Sequence, residues 1–532
     1  MHDWKRQHMT HAKHARSSQD LLLPRRTDTS VVPAPQGEPP PHRYLSAFGC
    51  AWICSLLGSN LAIAGVSSPH CAPLMNRERT TLAIDYGELV LAPATTSYEP
   101  RFGASLSTSA RWLAVGAPMD HDDGNASGSV HLYSVERNAH GSVTAAEIAR
   151  SDSPVGGDRF AAALVIRFGE TPSPELLVGC DTSDELLPDA GCVRMFQLNE
   201  ARLDAASVLF SPRPEPGEAF GHAIAANGNC IVIGAPRGDT VLVQSDIDGS
   251  FHSTQIYDAG HAYIFSRSPQ SGAWYASATL DREAPEASAW FGRAVCANEE
   301  WIAIGAPGVD ALADDGGTAI AMTVGEVSVY HRALTGGWKL HTTLRPPRIA
   351  EFAAFGSALA LEGSTLVVGA PGYTDSMSEP GRNSAVGAVF AYALSDAAIG
   401  SPVSLTAPDG GASSSFGLSV ALSRGQLLIG APGANDAGQS SGAAWLFARR
   451  GAEDPFLPVA RLRAAEAGEM FLLGSASALM DHCAVVGRFH DEESGHTRGS
   501  VHLFSTEPPL IAHAEAPSSS SRDEEHRTEA AP

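Results

Sequence analysis

The pattern that decides the fold is in Phe355-Gly356-Ser357-Ala358-Leu359-Ala360-Leu361-Glu362-Gly363-Ser364-Thr365-Leu366-Val367-Val368-Gly369-Ala370-Pro371. Two short apolar runs flank a turn at Glu362-Gly363, which is typical of a β-hairpin. Pro371 ends the second run because proline cannot donate a hydrogen bond to a neighbouring strand. A third run, Gly387-Ala388-Val389-Phe390-Ala391-Tyr392, follows after a loop. The pattern therefore predicts three consecutive short strands.

The same unit recurs along the chain, and it does so at fixed spacings. In five units the Gly of a Gly-Ala-Pro follows the Phe of a Phe-Gly by 14 residues: Phe102/Gly116, Phe220/Gly234, Phe291/Gly305, Phe355/Gly369 and Phe416/Gly430. Two units are degenerate: Phe160-Ala161 leads to Gly179-Cys180 with five extra residues, and Leu473-Gly474 leads to Gly487-Arg488 at the usual spacing. In all seven units a later Gly is followed five residues on by an aromatic, from Gly128/Tyr133 to Gly499/Phe504.

A weaker fourth strand follows six of the units, for example at Val403-Ser404-Leu405. Units of about 60 residues with four short strands are typical of propeller blades. The last unit lacks its fourth strand, and Glu88-Leu89-Val90-Leu91 is a spare strand before the first unit. The sequence therefore predicts an all-β, seven-bladed β-propeller of four-stranded antiparallel blades over residues 85–504. The ring would be closed by this N-terminal strand in the last blade, which leaves no exposed edge.

These motifs resemble FG-GAP repeats. The chain resembles the seven-bladed propeller of integrin α subunits, and more closely the FG-GAP repeat proteins of bacteria. Many integrin-type blades hold Ca²⁺ in an acidic loop between their first two strands, but here that connection is a tight turn such as Asn227-Gly228 or Arg424-Gly425. The Ca²⁺ sites implied by the resemblance are therefore not expected in these hairpins.

Outside the repeats, the chain has polar ends and one uncharged segment. Residues 1–43 and 505–532 have the polar, Pro-rich or Ser-rich composition of disordered segments. Residues 44–76 contain no Asp, Glu, Lys or Arg. They fit either a signal peptide cleaved after Ala62-Ile63-Ala64 or a single membrane-spanning anchor. Both alternatives predict an exported protein that is extracellular, periplasmic or attached to the cell surface.

Charge and cysteine content restrict the partners and the compartment. A formal net charge of −23 disfavours nucleic acid and anionic lipid headgroups as partners, since both attract basic proteins. Cys180 replaces the Ala of a Gly-Ala-Pro, and Cys192 follows the Gly that opens a third strand. These positions end and begin adjacent strands in the other units, so we expect a Cys180–Cys192 disulfide in an exported protein.

The chain contains no catalytic motif such as a nucleophile elbow, a zinc-binding helix or a phosphate loop. The innermost strands offer small and apolar residues such as Gly356-Ser357-Ala358. We therefore expect a binding or adhesion module rather than an enzyme. The alternative is a secreted glycan-active enzyme or lectin-like propeller with its site in the central channel.

The binding face is predicted from loop length. Units three, four and five have long loops between their second and third strands, and long loops on a rigid scaffold often carry function. The candidate ligand-binding residues in them are Asp239, Asp246, Asp248, Asp310, Asp314, Asp315, Tyr373 and Asp375. Closely spaced oxygens at Asp120, Asp122 and Asp123 in unit one are candidates for Ca²⁺, and no other cofactor is expected. The partner would be a protein or a glycan, and the alternative for any single Asp is a solvated loop.

Overall fold

The computed structural model describes residues 88–93, 100–120, 127–138, 142–153, 156–168, 174–199, 202–245, 251–312, 319–334, 336–374, 386–410, 414–435, 437–465, 468–488 and 498–506. The only helices or strands in these ranges are β-strands. Segments 1–43 and 44–76, and nearly all of 505–532, lie outside the described residues. Among the described residues, no helix is long and apolar enough to cross a membrane.

The strands form seven four-stranded antiparallel sheets, which confirms the predicted fold. Blades 1 to 3 contain β2 (Ser105–Ser109), β3 (Trp112–Ala117), β4 (Ser129–Arg137) and β5 (Val143–Asp152); β6 (Phe160–Arg167), β7 (Glu175–Cys180), β8 (Cys192–Asn199) and β9 (Arg202–Leu209); and β10 (Ala223–Asn227), β11 (Cys230–Ala235), β14 (His261–Arg267) and β15 (Trp274–Leu280). Blades 4 and 5 contain β16 (Ala294–Ala297), β17 (Trp301–Ala306), β20 (Glu326–Arg332) and β21 (Trp338–Leu344); and β22 (Ala358–Glu362), β23 (Thr365–Ala370), β24 (Ala388–Ala393) and β25 (Val403–Leu405). Blades 6 and 7 contain β26 (Ser419–Ser423), β27 (Gln426–Ala431), β28 (Ala443–Ala448) and β29 (Leu457–Leu462); and β30 (Ala476–Leu479), β31 (Cys483–Arg488), β32 (Ser500–Ser505) and β1 (Glu88–Leu91).

The N-terminal strand closes the ring in the last blade, as predicted. Strand β1 pairs antiparallel with β32, and Glu88 lies opposite Phe504. The Glu88 carboxylate also accepts a hydrogen bond from Nδ1 of His502. Burial raises the pKa of Glu88, but the hydrogen bond and the charge of His502 outweigh burial and lower it overall. The seam between the two ends of the propeller is thus closed by backbone pairing and by a carboxylate–imidazole contact.

The Phe-Gly and Gly-Ala-Pro signature has a physical explanation at the junctions between blades. In all seven blades the N–H of the residue at the Phe position donates to the carbonyl before the third-strand Gly of the preceding blade, over 2.9 to 3.3 Å. In six blades the N–H of the next Gly donates to the carbonyl of the Gly of its own Gly-Ala-Pro, over 2.9 to 3.1 Å. These two bonds tie each first strand to its own blade and to the preceding one.

The core is divided into seven layers, one between each pair of neighbouring blades. One layer joins Val327 and Val329 of blade 4 to Phe355 and Phe390 of blade 5. Successive side chains of a strand point to opposite faces, so each strand contributes to two layers. The first strand of each blade contacts the first strands of neighbouring blades, and it is therefore innermost around the central channel.

The structure adds two features to the long loops that the sequence pattern did not indicate. In blade 3 the loop after the second strand contains a two-stranded ribbon, β12 (Thr240–Ser245) and β13 (Phe251–Ile256). In blade 4 the corresponding loop contains a shorter ribbon, β18 (Ala311–Leu312) and β19 (Ala319–Ala321). Both ribbons extend the face that also carries the connections between blades.

Candidate functional site

The described loop acids form hydrogen bonds that close their own loops. In four blades an Asp or Asn lies five residues after the Gly near the end of the second strand. Its side-chain oxygen accepts a hydrogen bond from a backbone N–H near the end of the same loop. The donor lies two residues before the Gly that opens the third strand. The pairs are Asp184 and Asp189 at 2.7 Å, Asp239 and Asp258 at 3.0 Å, Asp310 and Thr323 at 2.7 Å, and Asn435 and Ser440 at 2.7 Å. Short Asx side chains commonly bond to nearby backbone in this way. The sequence signal for this loop-closing role was the recurrence of Asp or Asn at the same position in four repeats.

The remaining predicted ligand residues fall into two groups. Tyr373 is buried and packs edge-on against Phe390, with ring centroids 5.1 Å apart, so it belongs to the core layer between blades 4 and 5. The other candidates in these loops, Asp246, Asp248, Asp314, Asp315 and Asp375, lie outside the described residues. Ligand binding by the predicted set stays a prediction.

The candidate Ca²⁺ cluster is described only at Asp120. Its buried carboxylate accepts hydrogen bonds from Ser129 Oγ at 2.6 Å and from the Arg150 guanidinium at 3.0 Å. Asp122 and Asp123 lie outside the described residues. Within the described ranges no three His, Cys, Asp or Glu side chains are grouped so that they could hold a metal ion.

The structure contains two Ser–His–Glu arrays that the sequence analysis did not identify. In each, Ser and His are two residues apart on one strand, and the Glu comes from a neighbouring strand. In blade 1, Ser129 Oγ lies 3.1 Å from His131 Nε2, and His131 Nδ1 lies 2.7 Å from Glu147. In blade 7, Ser500 and His502 repeat the arrangement with Glu88, and the identical stretch Gly-Ser-Val-His-Leu was the available signal.

The contacts match those of a catalytic triad, but the access does not. Ser129 is 0% exposed and Ser500 is 1% exposed, so neither hydroxyl is open to a substrate. The Ser129 hydroxyl also donates a hydrogen bond to Asp120, so it is not free to donate to His131. We therefore interpret both arrays as buried links between strands, with their polar groups satisfied inside the blade.

Three highly accessible apolar side chains lie together on the blade 3 ribbon. Val241, Val243 and Phe251 are 59%, 65% and 75% exposed. Val243 lies opposite Ser253 and Ser245 lies opposite Phe251. Because directly opposed and alternate residues share a face in an antiparallel pair, the three apolar side chains form one stripe.

Further exposed apolar side chains lie on the same face of blades 4 and 5. Leu312, Ile320 and Met322, on or beside the blade 4 ribbon, are exposed. The carbonyl of Met322 accepts a hydrogen bond from the N–H of Phe352, which is also exposed and precedes the first strand of blade 5. Together with Val241, Val243 and Phe251, these four residues define what we call the ribbon surface.

The opposite face carries a cleft of about 380 Å³ between blades 5 and 6. Its charged lining is largely paired already. Glu362 accepts the N–H of Gly425 at 3.1 Å, Arg424 contacts Asp481 at 2.8 Å, and Arg449 donates to Thr365 at 2.7 Å. These contacts make the cleft a weaker candidate than the ribbon surface.

Cys180 and Cys192 lie directly opposite each other in the β7–β8 pair, as their positions in the repeat predicted. In the structure both are buried, free thiols. The hydrogen bond between them raises the pKa of Cys180 far above its usual value. The same bond, helped by Ser183 and Arg194, lowers the pKa of Cys192 although burial opposes it. Cys192 therefore has the lower pKa of the two thiols.

The disulfide stays a prediction with a direct test. In protein recovered from outside the cell, unreduced peptide maps should contain a Cys180–Cys192 crosslinked peptide. Closing a loop of about a dozen residues should raise the stability by about 3 kcal/mol relative to the reduced protein. A Cys180→Ser variant, which cannot crosslink, is the control for the effect of reductant. Both thiols found free in exported protein would contradict the prediction.

The comparison with known protein families agrees with this architecture. The FG-GAP repeat family model matches residues 92–133 and 401–447, which cover parts of blades 1, 5 and 6. Among solved structures, Sqt1 of Saccharomyces cerevisiae is similar at 12% identity with a TM-score of 0.40, over 80% of this chain and 100% of that one. A protein from Lactobacillus plantarum is similar at 11% identity with a TM-score of 0.37, over 69% of this chain and 86% of that one.

Neither structural likeness bears on function at such identities and scores. No curated protein matches the chain. The matched repeats lie in a ring of seven blades, and in all seven the N–H at the Phe position bonds to the preceding blade. The chain is therefore a seven-bladed β-propeller built from FG-GAP repeats.

Proposed function

We propose that this propeller is an exported binding module that recognises a protein partner through the ribbon surface. The main support for this proposal is that Val241, Val243 and Phe251 are exposed on a ribbon that contributes to none of the seven core layers. Soluble proteins rarely expose clustered apolar side chains unless they mark an interaction site. Aliphatic side chains beside an aromatic favour a protein partner over a glycan, since interface cores are apolar.

The ribbons also offer unpaired strand edges. Each is a two-stranded sheet of its own, so the outer edges of β12 and β13 have no strand partner among the described residues. An extended segment of a partner can add to such an edge through main-chain hydrogen bonds. The exported location, which is part of the proposal, is supported by the uncharged segment at 44–76.

The test is affinity capture from the native cell surface with a triple variant, Val241→Ser, Val243→Ser and Phe251→Ser. We expect the variant to keep the unfolding midpoint of the wild type, because none of the three side chains is buried. It should lose the proteins that the wild type retains, with a dissociation constant raised at least tenfold for each purified partner.

A second triple variant is the matched control. Leu334→Ser, Val403→Ser and Leu457→Ser also remove three exposed apolar side chains, but these lie away from the ribbons, on or beside the third and fourth strands of blades 4 to 6. The control should bind as the wild type does. Equal retention by both triple variants would refute the ribbon surface as the site.

The second candidate function is a glycan-binding or glycan-cleaving site in the channel. The observation that favours it is a hydrogen-bonded group of polar and charged side chains at the channel entrance. The group consists of Arg159, Asp181, His222 and Arg293. A glycan array and a polysaccharide-depolymerisation assay test it with the same wild-type protein. Glycan binding that survives the Val241, Val243 and Phe251 substitutions would support the channel instead of the ribbon surface.

A further inference from the structure

Four titratable side chains meet where blades 2, 3 and 4 surround the channel. Arg159 immediately precedes the first strand of blade 2, and Asp181 follows its second strand. His222 and Arg293 follow the Phe-Gly of blades 3 and 4. The first strands are innermost, so these residues lie at the entrance of the channel. The sequence offered a signal for this group. His222 and Arg293 follow Phe-Gly at a position where the other Phe-Gly repeats have a small or apolar residue.

The four side chains form one connected chain of hydrogen bonds. Asp181 Oδ2 accepts from Arg159 at 3.2 Å and from His222 Nδ1 at 2.8 Å. The other ring nitrogen, Nε2 of His222, accepts from Arg293 Nη1. An imidazole that donates from Nδ1 and accepts at Nε2 is neutral. Asp181 thus orients His222, and His222 orients Arg293.

The charges do not cancel within this group. Burial raises the pKa of Asp181, but Arg159, His222 and Arg293 together hold it at about 2, so the carboxylate is ionised. Burial and the charge of Arg293 lower the pKa of His222, which keeps the ring neutral at pH 7. Among these four side chains, two guanidinium groups therefore face one carboxylate.

Arg293 has no carboxylate of its own. Its one hydrogen bond to a described residue goes to the neutral ring of His222, and that of Arg159 goes to Asp181. Arg293 is solvent-exposed, and yet the surrounding protein lowers its pKa by burial. Such a side chain lies on the wall of the channel, accessible to solvent and yet surrounded by protein. A further carboxylate, Asp189, interacts with Asp184 and Arg237 and also with Asp181 and Arg159 of this group.

We propose that the channel entrance binds an oxyanion, a carboxylate or sulfate carried by a small molecule or sugar acid, on the guanidinium groups of Arg293 and Arg159. Guanidinium groups recognise such oxyanions through paired, charge-assisted hydrogen bonds. The orientation through His222 and Asp181 fixes Arg293 before the ligand arrives, which lowers the entropic cost of binding. The site is separate from the ribbon surface and does not depend on the function proposed there.

Calorimetric titration of the full chain at low salt tests the site, with inorganic sulfate, glucuronate and neutral glucose as probes. Sulfate and glucuronate should bind and glucose should not. Arg293→Gln keeps the first part of the aliphatic stem and a hydrogen-bond donor but removes the charge, and it should raise both dissociation constants at least tenfold. Arg463→Gln, at an exposed arginine between blades 6 and 7, is the matched control and should change neither. Binding of glucuronate alone would show that the oxyanion of a sugar is required.

A second measurement separates binding from a merely structural role. The His222 ring is followed by NMR in wild type and in Arg293→Gln, with His222→Gln for assignment. Saturating sulfate should raise the His222 pKa in the wild type, because the anion offsets the charge of Arg293, and it should leave the His222 pKa of Arg293→Gln unchanged. No response of His222 to either anion, or equal affinities in wild type and Arg293→Gln, would overturn the proposal.

Discussion

A Gly305→Ala variant should lose about 3 kcal/mol or more of stability, although it adds only one methyl group. The φ angle of Gly305 is an ordinary one, so the expected loss is steric and does not come from backbone strain. A Cβ at this position would lie well under 3.0 Å from the carbonyl oxygen of Gly356 in blade 5. Because the obstacle is backbone of the next blade, no side chain rotation relieves it. The blades would have to separate, and the core layer that contains Phe355 would open with them.

The measurement is the midpoint of denaturant unfolding, followed by intrinsic fluorescence and by circular dichroism. Gly400→Ala is the matched control, because a Cβ at Gly400 would meet nothing within 4 Å and its φ is also ordinary. We expect the control to stay within about 0.5 kcal/mol of the wild type. Equal midpoints for Gly305→Ala and Gly400→Ala would contradict the role assigned to the Gly-Ala-Pro glycine.

Removing strand β1 should destabilise the propeller and cause it to aggregate. Its loss would leave β32 as an unpaired edge strand, which is a template for pairing between molecules. Leu89 and Leu91 pack against the core layer between blades 7 and 1, and Glu88 bonds to His502. We expect a loss of about 3 kcal/mol from the apolar burial and hydrogen bonds together.

Two versions of the protein that start at different residues test this closure. One begins at residue 85 and keeps β1, whereas the other begins at residue 93 and lacks it. Light scattering and the unfolding midpoint should show a stable monomer for the longer chain and an unstable, aggregating protein for the shorter one. If the shorter chain is monomeric and as stable as the longer one, closure by β1 is not what holds the ring together.

Most of the architecture was predictable because the residues of the repeat act locally or recur at fixed spacings. The spacing from Phe355 to Gly369 sets a hairpin register, and the structure pairs Ala358 with Gly369 as that spacing requires. The position of β1 followed from counting strands, since a closed ring needs the missing fourth strand of blade 7. The opposition of Cys180 and Cys192 followed by analogy between blades.

The candidate sites were less predictable because they depend on neighbours far away in the chain. The ribbon β12–β13 contains an ordinary alternating strand pattern, but its exposure depends on the absence of a sheet to cover it. Asp239 and Asp310 read equally well as ligand groups or as loop-closing groups, and only their hydrogen bonds distinguish the two. His222 and Arg293 are 71 residues apart and come together across a blade junction.

The sequence by itself determined the number of blades, the order of their strands and the way the ring closes, because each depends on short, repeated spacings. Tertiary structure alone decided the conformation at the junctions. In all seven blades the residue before the Phe position has a left-handed φ, although it is never glycine: Arg101, Arg159, Ala219, Trp290, Ala354, Ser415 and Leu472. Such a conformation is unfavourable for these residues on their own. It is held because the following N–H must reach the carbonyl of the preceding blade, and that partner exists only once the blades have packed.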